Sequence, residues 1–245
     1  MIEMQDDFIV KNFSHLFNGK VTLNGNKKTT AIPVFNLPNI YLQKEFLRIY
    51  KAHKKELIAL VPKNERQRFD DFIIYLKNTP MCVNCEKCSK TCYNNKAYWQ
   101  YPAKAICDLR QLYILLYTPE KVIEEISVAC RNLRYFRFNG SGEIHNKRVW
   151  RVYEKVARNN PDTLFYTYTK NFNLVLGDID IPSNLVINYS WYGKKPPIQY
   201  GNWFITLKEK EYNKLPNEAI KCLGDCLGCK QCMANGKRKI YCKEH

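Results

Sequence analysis

Hydrophobic residues in the first third of the chain follow a strand pattern and then a helix pattern. Residues 32–37 form a short apolar run that Pro38 ends, which predicts a buried strand. Apolar side chains then recur at helical spacing over 41–60 and again over 66–78. The sequence therefore predicts a helical insertion at 41–80, directly after the first strand.

Beyond the insertion, helical and strand patterns alternate along the chain. Helical spacing covers 103–117, 119–130 and 146–159. Thr118 is expected to cap the second of these helices, because threonine is favoured just before a helix and Pro119 suits its first position. Further strands are predicted at 133–138, 163–169, 185–190, 203–207 and 219–222.

This alternation predicts an α/β fold with a parallel sheet. The expected architecture is a partial (β/α) barrel of about six parallel strands, in a single domain over residues 1–245. The insertion lies near its start and a cysteine-rich tail, 222–242, near its end. In such folds the chemistry sits at the C-terminal ends of the strands, so residues that follow the strands are the first candidates for a site.

The charge balance suggests what the protein binds. Lys and Arg number 39 against 23 Asp and Glu, a net charge of +16. An excess of this size favours a polyanionic partner, either a nucleic acid or a nucleotide, although a lysine-rich solvated surface gives the same balance. A host protein is the other partner considered.

The start of the chain and the absence of long apolar runs predict the compartment. The sequence MIEMQDDFIV has early aspartates and no long apolar core, so it does not resemble a secretory signal. No stretch approaches the ~18 apolar residues of a membrane span. We therefore expect a cytoplasmic protein without membrane contact, in which cysteines stay reduced and serve metal or redox chemistry.

A first group of cysteines has a spacing typical of metal ligands. It runs C-x2-C-x2-C-x3-C and comprises Cys82, Cys85, Cys88 and Cys92. Bacterial ferredoxins use this spacing followed by proline, where this chain has Tyr93. Closely spaced thiolates on one loop favour a 4Fe–4S cluster, and a structural zinc site is the alternative.

A second group lies in the tail and comprises Cys222, Cys226, Cys229, Cys232 and Cys242. Five thiols are one more than a four-ligand site needs, so Cys222 or Cys242 is surplus or binds elsewhere. Zinc and a second iron–sulfur cluster both remain open here, as does one metal shared by the two groups. Cys107 and Cys130 fall on apolar helix faces and are expected to be buried non-ligands.

Polar residues follow three of the predicted strands. Gly140, Ser141, Gly142 and Glu143 follow the first of these, Thr169 and Lys170 end the next, and Ser190 ends the third. In a parallel sheet these ends meet at one edge, which predicts a ligand site there. Ordinary turns and solvated loop starts are the alternative. His145 is either a functional group or part of a helix start.

With these features in place, the chain resembles a family of phage and mobile-element proteins, the gene-product-eighty-eight-like proteins. The shared features are a VFNLP strand at 34–38, the cysteine loop at 82–93 and strands with their turns at 136–143 and 165–170. A cysteine-rich tail completes the pattern. The resemblance covers most of 30–245 except the helical insertion, and it implies the fold.

The chain also resembles radical SAM enzymes, which are partial (β/α) barrels with a three-cysteine loop and a Gly-Gly-Glu turn after the second strand. That resemblance implies S-adenosylmethionine as a cofactor, bound along Gly140–Glu143, with Glu143 at its ammonium group and Ser190 at its ribose. This chain departs from the pattern, because C-x3-C-x2-C occurs only at 222–229 and the first loop has a fourth cysteine.

These observations lead to two hypotheses of different classes. The first is an iron–sulfur enzyme that resembles radical SAM enzymes and acts on a nucleic acid or nucleotide. The second is a non-enzymatic protein with zinc-bound cysteines that binds nucleic acid or a host protein. The metal that the protein contains, iron with sulfide or zinc, would distinguish the two hypotheses.

Overall fold

The computed structural model describes residues 6–23, 32–84, 92–175, 180–192, 202–234 and 236–244. They form one sheet of seven strands in the order β1-β2-β3-β4-β5-β7-β6, and every neighbouring pair is parallel. The sheet does not close on itself, as the predicted partial barrel requires. The strands are β1 Val34–Phe35, β2 Tyr135–Phe138, β3 Leu164–Thr169, β4 Leu185–Tyr192, β5 Asn202–Leu207, β6 Ile220–Lys221 and β7 Lys239–Lys243.

The helices lie mainly between β1 and β3. The helices that the structure describes are α1 Asp6–Asn12, α2 Ile40–Ala52, α3 Lys54–Leu60, α4 Arg66–Asn78, α5 Tyr93–Gln100, α6 Pro102–Tyr117, α7 Pro119–Cys130, α8 Lys147–Asn159, α9 Phe172–Val175, α10 Glu209–Tyr212 and α11 Cys226–Cys229. Short 3-10 turns follow α1, precede α4 and follow α11.

The strongly periodic segments form where the sequence predicts them. Helix α4 matches its prediction to the residue, whereas the predicted helix at 41–60 divides at His53 into α2 and α3. Thr118 precedes α7 as expected but does not cap it, because its hydroxyl donates 3.2 Å back to the Ile114 carbonyl of α6. Asn146 instead provides a working cap, accepting from the first amides of α8.

The two faces of the sheet are covered differently. One face carries Phe136, Phe165 and Ile187 and packs against the helices in the main apolar core. The other carries Tyr166 and Val186 and packs against the cysteine-rich tail in a smaller cluster. Because side chains alternate along a strand, every second residue of β2 to β5 points toward the tail. We call this the tail face and the first the helix face.

The C-terminal strands differ from the prediction. The last predicted strand, at 219–222, forms as β6 but lies at the edge of the sheet. An additional strand, β7, lies between β5 and β6, pairing Phe204 with Ile240 on one side and Ile220 with Ile240 on the other. Within the described residues no helix has the length and apolar character to cross a membrane.

Candidate metal centre at the carboxyl edge of the sheet

The first cysteine loop begins and ends at the carboxyl edge of the sheet. At its start, Asn84 donates 2.8 Å to the carbonyl of Lys170, directly after β3. At its end, the side-chain amide of Asn39 lies 3.6 Å from Sγ of Cys92. Cys85 and Cys88 fall outside the described residues. The described residues place the start of the loop beside the end of β3 and its last cysteine beside Asn39, which follows β1.

Asn39 is a functional candidate that the sequence analysis missed. It is buried, and its Oδ1 accepts from the amide of Leu42 in the first turn of α2. Its Nδ2 donates to Cys92 and, at 3.0 Å, to Oδ1 of Asn95. The side-chain amide of Asn39 thus links the chain that follows β1 to the end of the cysteine loop. The signal in the sequence that could have found it is its position, directly after the predicted strand and Pro38.

A buried network of hydrogen bonds centred on Asp108 lies next to this edge of the sheet. The carboxylate of Asp108 accepts from the hydroxyl of Tyr98 at 2.7 Å and from the hydroxyl of Ser141 at 2.8 Å. It also accepts from the ammonium of Lys104, which donates 2.9 Å to Ser141. Burial and the charge of Asp108 raise the pKa of Tyr98 well above its usual value, and the charge of Cys82 adds to this. The network therefore lies close to the first cysteine of the loop.

The turn Gly140–Glu143 packs against the end of β1. A side chain at Gly142, where φ is +79°, would place its Cβ 2.5 Å from the carbonyl oxygen of Leu37. A Cβ at Gly140 would lie 2.7 Å from both Asn36 and Val34. Gly142 therefore allows backbone to approach backbone, whereas Gly140 allows backbone to approach the side chains of Asn36 and Val34. Ser141 is buried in the Asp108 network.

Glu143 joins the ends of two strands. Its Oε1 accepts from the amide of Ile144 at 2.8 Å and from the hydroxyl of Thr169 at 2.5 Å, and its Oε2 accepts from the amide of Lys170 at 2.7 Å. Burial raises the pKa of this carboxyl, and the Lys170 charge and the three donors act in the opposite direction. The carboxylate thus has partners inside the fold.

The structure brings only part of the predicted edge site together. Glu143, Thr169 and Lys170 converge through the hydrogen bonds above. Asn188 points to the tail face, since its amide donates 2.9 Å to the carbonyl of Cys232. Ser190, two residues further, shares that face and not the helix face of Thr169. A ligand that touches both Glu143 and Ser190 would have to reach around the edge of the sheet.

His145 is a buried, neutral histidine. Its Nδ1 lies 3.1 Å from the carbonyl of Glu143 and its Nε2 2.7 Å from the hydroxyl of Tyr75. A carbonyl can only accept, so Nδ1 carries the proton and Nε2 accepts from Tyr75. Burial lowers the pKa of His145 from 6.5 to about 4. Asn146 donates 2.5 Å to the same tyrosine and begins α8, which agrees with the helix-start interpretation.

This geometry predicts acid sensitivity. Between pH 6.5 and 4 the unfolded chain binds a proton at His145 that the folded chain excludes, so stability falls as pH falls, by about 3 kcal/mol in all. Chemical denaturation from pH 8 to 4 should show a smaller loss in His145→Gln than in the parent chain. Equal losses in the two proteins would contradict the assignment.

The cysteine-rich tail lies on the tail face. Met233 is buried beside Tyr166 and Val186, and the amide of Asn202 donates 2.7 Å to the carbonyl of Ala234. The nine cysteines that the structure describes are all thiols. Among the described residues there is no group of three or more His, Cys, Asp or Glu that could hold a metal ion. Cys130 is buried and Cys107 half-buried, each on a helix.

Comparison with known proteins identifies the family. The model of the family described as gene product 88 matches residues 46–208, about two thirds of the 245 residues. The chain belongs to the gene product 88 family. A search of curated proteins finds no match, and a search of solved structures finds none either. The comparisons therefore support the first resemblance and give no support to the radical SAM resemblance.

The extent of the gene product 88 match differs from the expected resemblance. The match begins at residue 46, inside α2, and so includes most of the helical insertion that the sequence analysis placed outside the family pattern. It ends at 208, just after β5. The VFNLP strand and the cysteine-rich tail both lie outside it. Within the matched part, the helices, the first cysteine loop and the edge turn belong to one family pattern.

Proposed function

We propose that this gene product 88 protein is an iron–sulfur protein that acts on a nucleotide or nucleic acid at the carboxyl edge of its sheet. Cys82, Cys85, Cys88 and Cys92 would hold a 4Fe–4S cluster there. The observation that carries the proposal is the attachment of both ends of the loop to this edge, by Asn84 to Lys170 and by Asn39 to Cys92. In a sheet of this kind the carboxyl edge is where ligands bind.

The surroundings of the loop fit a thiolate-bound cluster. Asn39 presents an amide donor to the sulfur of Cys92, and hydrogen bonds to cluster sulfurs adjust the reduction potential. In a reducing cytoplasm the thiols remain available as ligands. When bound, a cluster of this type supplies one-electron chemistry. The residues of the chain would hold it against the ends of β1 and β3 and place a substrate beside Lys170.

The proposed substrate class follows from charge. The chain carries a net charge of +16, and Lys170 lies where the ends of β2 and β3 meet. A phosphate-bearing ligand would complement both. S-adenosylmethionine is a narrower proposal, because Glu143 already accepts three hydrogen bonds within the fold. To hold an ammonium group it would have to give up one of these donors or use the remaining lone pair of Oε2.

A second candidate is the non-enzymatic one, in which zinc holds both cysteine groups and the protein binds nucleic acid. The observation that favours it is helix α8, where Lys147, Arg151 and Lys155 are exposed and follow one another at single-turn spacing. Successive turns rise by about 5.4 Å, so this row could follow a phosphate backbone. Binding through such a row would weaken steeply with added salt.

Metal analysis of the anaerobically purified full chain decides between the two. We expect about four iron atoms and four sulfides per chain, with the visible absorption of an iron–sulfur cluster. Cys92→Ser should lose most of this iron, whereas Cys107→Ser, a half-buried thiol on α6, should keep it. Zinc at the loop with background iron and sulfide would contradict the iron–sulfur proposal and favour the second candidate.

A further inference from the structure

The cysteine-rich tail is held in a defined position on the tail face. Carbonyls of Cys232 and Ala234 accept from the side chains of Asn188 and Asn202, at 2.9 and 2.7 Å. Met233, between them, is buried in the apolar cluster of this face. Two strands therefore fix the backbone on the C-terminal side of the cysteines. The tail is therefore part of the folded structure, held against β4 and β5.

Four of these thiols lie within eleven residues of one another, in a segment with a turn on each side of α11. Cys226 and Cys229 are three residues apart in α11, so they share one side of the helix. Lys230 then takes a left-handed conformation, with φ of +54°, and the chain turns back toward Cys232. On the other side of α11, Gly224 has φ of +74° and connects the helix to Cys222.

Two of these thiols pack on the same surface of the sheet. Cys226 of α11 and Cys232 both lie against the apolar cluster of the tail face, which contains Tyr166 and Val186. The helix and the residues that follow it are therefore docked side by side on this face.

The fifth thiol lies beside the first. Lys221 of β6 pairs in register with Tyr241 of β7, and the amide of Cys222 donates 2.7 Å to the Tyr241 carbonyl. Cys222 directly follows β6, and Cys242 is the next residue of β7, so the two continue the same register. Side chains at matching positions of neighbouring strands point to the same face and start about 4.8 Å apart. Cys242 pairs with Thr206 of β5, two residues beyond Phe204, and therefore lies on the tail face, the face against which Cys226 of α11 packs.

We propose that Cys226, Cys229 and Cys232 bind one zinc ion on the tail face, and that Cys222 and Cys242 are interchangeable as its fourth ligand. Tetrahedral zinc takes four thiolates at about 2.3 Å. The thiols have to move together around the ion, which the turns at Gly224 and Lys230 permit. Metal binding that completes local folding in this way is usual for small zinc sites. The site is distinct in its ligands from the proposed cluster of the first loop.

The test measures zinc, iron and sulfide in the purified full chain and in five variants. Cys229→Ser should lose at least two thirds of the zinc and keep its iron and sulfide. Cys222→Ser and Cys242→Ser should each keep most of the zinc, and the double variant should lose it as Cys229→Ser does. Cys107→Ser, outside both cysteine groups, is the control and should lose none.

Four results would contradict the inference. If Cys229→Ser kept all of its zinc, the tail would not be the zinc site. If that variant lost iron and sulfide, the tail would bind an iron–sulfur cluster instead of zinc. Equal zinc loss in Cys222→Ser and Cys229→Ser, with none in Cys242→Ser, would mean that Cys222 is the fourth ligand and that Cys242 cannot replace it. If a variant folds poorly, cobalt titration of the metal-stripped parent chain gives an independent measure through sulfur-to-cobalt absorption. No such absorption would also overturn the inference.

If the first loop holds zinc instead of iron, the parent chain contains a second zinc ion. Cys229→Ser should then lose one zinc ion per chain and Cys92→Ser the other, so failure of the first-loop proposal and failure of this inference give different results.

Discussion

Replacing Gly142 with alanine should strongly destabilise the protein, through the edge of the sheet that carries the candidate site. The residue has φ of +79°, and an added Cβ would lie 2.5 Å from the Leu37 carbonyl oxygen and 2.7 Å from its carbon. A left-handed conformation costs an L-residue about 1–2 kcal/mol, and overpacking against backbone adds about 1–3 kcal/mol. We expect a total loss of about 3 kcal/mol or more in the free energy of unfolding, measured by chemical denaturation.

Gly19→Ala is the matched control for this prediction. Its φ of +65° is similar, but the added Cβ would meet only the end of the Lys121 side chain, at 3.1 Å. That side chain can move, so only the conformational cost of about 1–2 kcal/mol remains. Equal losses in the two variants would mean that the contact between Gly142 and the end of β1 does not stabilise the fold. The same contact positions Asn39 and the cysteine loop.

Removing the carboxylate of Asp108 should be the second large loss. Asp108 is buried and accepts from Tyr98, Lys104 and Ser141. Asp108→Ala leaves a tyrosine hydroxyl, a serine hydroxyl and a partly buried ammonium without this partner. Breaking a buried pair of this kind costs about 3–5 kcal/mol, because the remaining groups lose their compensation. The expected readout is a lower midpoint of denaturation with an unchanged slope.

Glu125→Ala tests the same kind of pair at the surface. Lys121 and Glu125 are also four residues apart on a helix, 3.7 Å from each other, and both side chains are exposed. Exposed pairs contribute about 0.3–0.5 kcal/mol, so this variant should lose little. If Asp108→Ala lost as little as Glu125→Ala, the network below the cysteine loop would not be a stabilising feature. Iron content of Asp108→Ala would then show whether it still positions the loop.

The sequence analysis succeeded where local pattern decides structure. Helices α4, α7 and α8 and strands β2 to β5 each carry a clear period, and each forms within a few residues of its predicted range. Helix α5 was missed because NNKAYWQ has no clear apolar face. Strand β7 was missed because KIYCK is short and bounded by lysines, and its place between β5 and β6 depends on pairing with distant residues.

In the candidate site, too, local sequence patterns predicted some contacts, and contacts between distant residues decided others. Glu143, Thr169 and Lys170 were predicted to meet because they follow parallel strands, and they do meet. Ser190 was grouped with them, but it points to the tail face. Strand alternation predicts that neighbouring residues point to opposite faces, and it does not say which face the helices cover. Asn39 was missed because its partner Cys92 lies 53 residues away. Asp108 has a near partner in Lys104, but the contact that joins it to the edge turn is with Ser141, 33 residues away.

The sequence by itself determined that this chain is an α/β protein with two groups of closely spaced cysteines. Periodicity and cysteine spacing are local properties, and they persist in any fold that the chain adopts. Only the tertiary structure decided that the first cysteine loop is attached to the carboxyl edge and that the tail covers the opposite face from the helices. Those positions come from buried hydrogen bonds and strand pairings between residues far apart in the chain, which no local pattern encodes.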